Sequence, residues 1–182
     1  MHRQPLLDLI DQYATLHPDE GETIERFREF VTAHPDCFER SLSIGHLTGA
    51  AWIVDATGDS VLLTHHRKLN CWLQLGGHAD GDTNMLQVAL REAWEESGLD
   101  SLAQVTPGIF DLDIHRIPER KGEPEHLHYD VRFVLLHPGT GEFEVSEESH
   151  DLAWVPLERL EEFTTEESML RMARKWAELK QV

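Results

Sequence analysis

The sequence predicts an α/β fold: a mixed sheet with helices on its faces, preceded by a helical hairpin. Two observations predict it. Residues 5–15 and about 20–33 carry apolar side chains at helical spacing. From about residue 46 the period shortens to that of strands, broken by one long amphipathic segment near 84–97 and closed by another near 165–179.

The first helix places Leu6, Leu9, Ile10 and Tyr13 on one stripe, and the second places Ile24, Phe27, Phe30 and Val31. Pro18 and Pro35 end the two segments, because proline restricts the residue before it and cannot donate to the preceding turn. Residues 47–54 and 61–64 then read as strands joined by the turn cluster Asp55-Ala56-Thr57-Gly58-Asp59. A short strand is expected over 71–75. The segment 84–97 puts Leu86, Ala89, Leu90 and Ala93 on one face, and Gly98 is placed to end it in a left-handed conformation. Residues 109–117, 129–136 and 153–155 read as further strands. The hairpin occupies residues 1–38 and the main domain residues 43–182, including the C-terminal helix. Two stripes this short cannot form a core alone, so the hairpin is expected to dock on the main domain or on a second copy in a homodimer.

With 182 residues, 40% of them hydrophobic, the chain is long enough for one ordinary core. Lys plus Arg is 16 against 34 Asp plus Glu, a net charge of −18 that repels nucleic-acid polymers and anionic membranes. Phosphates remain accessible to such a protein through a divalent cation, which inverts the sign of the local field. Cys37 and Cys71 form no metal-ribbon spacing or disulfide framework, and no apolar run near the first residues reaches signal or membrane length. A cytoplasmic protein is expected.

The chemistry concentrates in the segment 77–99. Glu92, Glu95 and Glu96 stand at i, i+3 and i+4, which sets three carboxylates on one helix face. Helix stability alone would interleave bases there. A hard cation preferring oxygen, Mg²⁺ or Mn²⁺, would relieve the repulsion and bridge to substrate phosphates.

Gly77, Arg91, Glu92, Glu95, Glu96, Gly98 and Leu99 resemble the Nudix box, and the resemblance extends over about residues 43–160. It implies an α/β/α sandwich around a mixed sheet and a metal-dependent hydrolase that cleaves a nucleoside diphosphate linked to another moiety. Glu95 and Glu96, with Glu92, would be metal ligands. Gly76 matches a position whose carbonyl joins the metal shell, and Arg91 would brace the glutamates. The general base would be one of these glutamates or an acid outside the box, with Glu147, Glu148 and Asp151 as candidates and Glu148 also a candidate metal ligand. The sequence departs from the box at Thr83, where the pattern has glutamate. Either Asp82 replaces it as a loop brace or Thr83 caps the helix.

Alternation in 126–133 sets His126, His128, Asp130 and Arg132 on one strand face. Three readings of that face stand: substrate binding by His128 and Asp130, transition-metal ligation by the His-x-His pair with His115, or a solvated surface. Arg67, in the basic run 65–68, is a candidate phosphate contact. Two other functions compete with hydrolysis: a non-catalytic nucleotide-sensing module, and an isoprenyl diphosphate isomerase using Cys71. The three retained carboxylates argue against the first. The ordinary box approach after Asn70-Cys71 argues against the second.

Overall fold

The computed structural model describes residues 2–67, 69–120, 122, 124–139, 143–144 and 149–181. Among these, helices α1 (Gln4–Leu16) and α2 (Gly21–Ala33) precede strands β1 (Gly45–Val54), β2 (Ser60–His66), β3 (Cys71–Leu73) and β4 (Leu75–His78). Helix α3 (Met85–Ser97) follows, then β5 (Ala103–Gln104), β6 (Asp111–Ile117), β7 (His126–Leu136), β8 (Ser149–Pro156) and helix α4 (Glu167–Leu179). The sheet runs β3-β2-β1-β7-β5, with β4 and β1, β6 and β7, and β8 and β2 also paired. This is a mixed sheet flanked by helices, as the sequence predicts. No helix among the described residues is long and apolar enough to cross a membrane.

Two compact units divide the chain. The first comprises Met1–Ala50, Gly77–Ala89 and Thr106–Phe133; the second comprises Ala51–Gly76, Leu90–Val105 and Val134–Val182.

In the first unit the N-terminal hairpin is packed rather than free. Phe27 meets the Tyr129 ring edge-on at 5.3 Å, and Phe30 stacks on it at 3.8 Å with the planes 3° apart. Leu6, Ile10, Tyr13, Ile24 and Val31 are buried, whereas Leu9 of the expected stripe is only half-buried. Arg3 fastens the start of α1 to the end of α2, its Nη1 donating to the Val31 and Thr32 carbonyls at 2.7 Å. Gly49 of β1 serves close approach: a Cβ there would stand 2.8 Å from Val88 Cγ1. The buried face of α3 in this unit is accordingly Met85, Val88 and Ala89, with Leu86 half-buried, one step round the helix from the expected stripe.

In the second unit β2 is the hub, pairing antiparallel with β1 (Ile53 opposite Leu62), β3 (His65 opposite Trp72) and β8 (Leu62 opposite Trp154). The amphipathic helix α4 buries Met169, Met172 and Trp176, and the Trp176 indole N–H donates to the Gly58 carbonyl at 2.8 Å. The strand expected over 71–75 is two strands, because β3 turns onto β2 while β4 pairs with β1. The strands about β7 and β8 run longer than hydrophobicity suggests, since their polar ends are paired: His126 with Ile117, and Ser149 with His66.

Candidate active site

Helix α3 carries the carboxylate set. Its start is fixed by Asn84, whose Oδ1 accepts from the Gln87 N–H at 3.3 Å, while Asp82 Oδ1 accepts from the Asn84 N–H at 2.9 Å. The cap therefore falls on Asn84, not on Thr83. Its end is fixed by Gly98, at φ 68°, whose N–H donates to the Trp94 carbonyl at 2.7 Å. Between these ends the second unit presents Arg91, Glu92, Glu95 and Glu96. Arg91 Nη1 lies 2.7 Å from Glu92 Oε1 and 3.5 Å from Glu95 Oε2. The Gly76 N–H donates to Glu96 Oε1 at 3.3 Å, so strand β4 and the helix face are tied at the glutamate that ends the triad.

These contacts test whether a hard cation suits the site. All the donors are oxygens, carried on a rigid helix and steered by a backbone amide, and Glu95 is exposed enough, at 49% of its side chain, to meet a ligand from solvent. The donor set fits Mg²⁺ or Mn²⁺. Among the other candidates in this unit, Arg67 is exposed and its Nη2 donates to the Ser149 carbonyl at 3.0 Å. Asp151 is exposed on β8 and accepts from the Leu152 N–H. Cys71 is half-buried, and burial raises its thiol pKa, which disfavours a reactive thiolate. Glu147 and Glu148 lie outside the described residues.

The first unit assembles a different group. Pairing of β6 with β7 sets His115 opposite His128, Asp113 opposite Asp130 and Asp111 opposite Arg132, making a polar ladder across two strands. Arg132 is 2% exposed, and its guanidinium reaches Asp130 at 2.7 Å, Asp111 at 3.2 Å and Asp113 at 3.3 Å. Burial acts to lower its pKa, and the three carboxylates outweigh burial and raise it. Asp130 also accepts from the Thr48 hydroxyl at 2.9 Å, so it is held on both sides within the core.

Below this ion group the ladder becomes histidine. His46 of β1, His78 of β4 and His128 bring ligand nitrogens within 4.8 Å of one another. His126 and His115 adjoin them, with ring centroids 5.2 and 5.3 Å from that of His128. Burial, with neighbouring His78 and His126, pushes the His46 pKa down to about 4. Burial and four surrounding histidines lower that of His128 further. The structure brings together His128, His126 and His115, as the sequence suggests, and adds His46 and His78. Their residue types gave no local signal, because they come from strands far apart in sequence.

Comparison with known proteins settles the family. A NUDIX domain matches residues 46–176. The chain belongs to the NUDIX family. Its NUDIX fold is shared with a C. elegans Ap4A hydrolase (TM-score 0.61, 18% identity, covering 74% of this chain and 97% of that one). It is also shared with a MutT protein from Methanosarcina mazei Go1 (TM-score 0.58, 18% identity, covering 78% and 99%). A stretch of 56 residues is 41% identical to the m7GpppN-mRNA hydrolase NUDT17 of Bos taurus, covering 28% of this chain and 18% of that protein. The NUDIX chain thus spans under a fifth of the length of that relative.

Proposed function

We propose that this NUDIX-family protein is a divalent-metal-dependent hydrolase that cleaves a pyrophosphate linkage in a small nucleoside diphosphate derivative. The observation that carries the reading is the Glu92, Glu95 and Glu96 set on α3, tied to Gly76 through the amide bond to Glu96. The family membership of residues 46–176 supports it.

A pyrophosphate resists attack because the nucleophile approaches a polyanion. Mg²⁺ or Mn²⁺, when bound, supplies charge neutralisation of the phosphate oxygens and lowers the pKa of water. The chain's own residues do the rest. Glu95, Glu96 and Glu92 would hold the cation, with the Gly76 carbonyl as a further oxygen donor. Arg91 positions Glu92 through their 2.7 Å pair and tempers the repulsion among the carboxylates. A carboxylate of this group, or Asp151, accepts the proton of the attacking water as the new P–O bond forms. The bridging P–O bond then breaks, and the leaving phosphate departs with the electron pair.

Nucleoside triphosphates, dinucleoside polyphosphates, nucleotide sugars and dinucleotide cofactors should be screened with Mg²⁺ or Mn²⁺, scoring phosphate or mononucleotide release. Cation-dependent cleavage of a member of this panel, abolished by a chelator and strongly reduced by Glu96→Gln, is the expected result. Tight binding of a nucleotide without turnover would overturn hydrolysis in favour of a sensing module.

A further inference from the structure

The histidine group in the first unit does not belong to the carboxylate chemistry, and its donors are of another kind. Among the described residues, neither nitrogen of His46 finds a hydrogen-bond partner of normal geometry, nor does Nε2 of His128, and all three atoms are buried. His46 as a residue is only 4% exposed. The Leu42 backbone gives His46 only a minor hydrogen-bonding contribution, and an imidazole nitrogen removed from water without a well-formed partner costs about 1–3 kcal/mol, so such atoms gathered in one place favour a ligand that takes them up. The third ring, His78, brings its ligand nitrogen within the same 4.8 Å as those of His46 and His128.

We infer that His46, His78 and His128 form a second metal site, for a first-row transition cation of the Zn²⁺ class, separate in donor chemistry from the carboxylate set on α3. Three neutral imidazoles are a ligand set that suits Zn²⁺, Cu²⁺ or Ni²⁺ and is a poor one for Mg²⁺, which demands oxygen and dehydrates reluctantly. Burial favours the neutral, ligating form of the two innermost rings.

The spacing is close to what such a cation needs. Zn–N bonds of about 2.0–2.1 Å put tetrahedral ligand nitrogens about 3.3 Å apart, so nitrogens within 4.8 Å of one another need draw in by at most about 1.5 Å. His78 is half-buried, and its ring already lies 5.0 and 5.1 Å, centroid to centroid, from those of His46 and His128. The surroundings are also those of a metal site. His115 Nδ1 lies 3.1 Å from Asp113 Oδ2 and His126 Nδ1 lies 2.9 Å from the Pro124 carbonyl, contacts that fix both neighbouring rings. Asp113 in turn pairs with Arg132, so the wall around the three ligands is braced by the buried ion group.

The test uses the full chain carrying Glu95→Gln and Glu96→Gln, which disables the carboxylate set, and titrates it with Zn²⁺ against a chromophoric chelator. Stoichiometric Zn²⁺ binding is expected in this background. Adding His78→Ala or, separately, His128→Ala should weaken it by more than about 100-fold, since loss even of residues that only orient a ligand costs about 10–100-fold. His150→Ala, a histidine of the second unit, should change nothing. Circular dichroism and melting identify variants that fold, and a Co²⁺ visible spectrum that is lost in His78→Ala gives a readout independent of activity. The inference is overturned if the carboxylate-disabled protein binds no Zn²⁺, or if folded His78→Ala and His128→Ala both bind it as the parent does. Either failure leaves the proposed hydrolase untouched, because its test rests on Glu96 and Mg²⁺.

Discussion

The carboxylate face of α3 and the histidine ladder of β1, β4, β6 and β7 are two ways of gathering ligands. On α3 the three glutamates fall within five consecutive residues, and helical period alone brings them together. They are oxygen donors, half-buried to exposed, with two paired to an arginine of the same helix. In the ladder, His46, His78 and His128 come from three strands, and only strand pairing makes them neighbours. Buried nitrogens without a hydrogen-bond partner of normal geometry among the described residues lie at its centre, and a buried ion group braces it. The first arrangement is solvated and suits a cation that arrives with its substrate. The second is more buried and, on the inference above, suits a resident ion.

The largest expected effect that would break this comparison lies in the ladder's ion group. Arg132→Met would leave the buried Asp111 and Asp130 and the half-buried Asp113 without their guanidinium, costing about 3–5 kcal/mol, which chemical denaturation should read directly. A loss below about 1 kcal/mol would mean that the ladder is not braced as described.

On α3 the expected effect is on rate. Glu96→Gln keeps shape and removes a charged oxygen, so turnover of the best substrate should fall by about 100- to 1,000-fold, comparable to losing one electrostatic stabiliser of a transition state, with melting unchanged. Parental turnover at saturating Mg²⁺ would remove the carboxylate set from the mechanism.

Two smaller effects sharpen the contrast in local support. Phe30→Leu gives up the 3.8 Å stack on Tyr129 while keeping apolar volume, and should cost about 1 kcal/mol of stability. Asn84→Ala removes the cap bond to Gln87 and should cost about 0.5–1 kcal/mol, read as a small drop in melting temperature. An unchanged melting temperature in Phe30→Leu would show that the hairpin contributes little to the first unit.

What could be read from the sequence follows the same division. Helices α1, α2, α3 and α4 were legible to within two residues because a helix is specified locally, by period and by stop signals such as Pro18, Pro35 and Gly98. The central strands were legible from their apolar runs. Their polar ends were not, since His126 and Ser149 are strand residues only by virtue of the partners that pair with them. The two-residue strand β5 carries too little pattern to be seen at all.

For the candidate site, the sequence by itself determined the Glu92, Glu95 and Glu96 face, because covalent spacing along one helix fixes it. It also determined that His126, His128, Asp130 and Arg132 share a face, through the two-residue period of a strand. Only the tertiary structure decided the occupants of that face's surroundings. Strand register set Asp111 and Asp113 against Arg132, and the pairing of β1 with neighbours distant in sequence brought His46 to His78 and His128. It also moved the buried stripe of α3 to Val88, because Gly49 lets the strand approach there. Local periodicity says which way a side chain points; what it meets there depends on contacts between distant segments, which form only when the whole chain has folded.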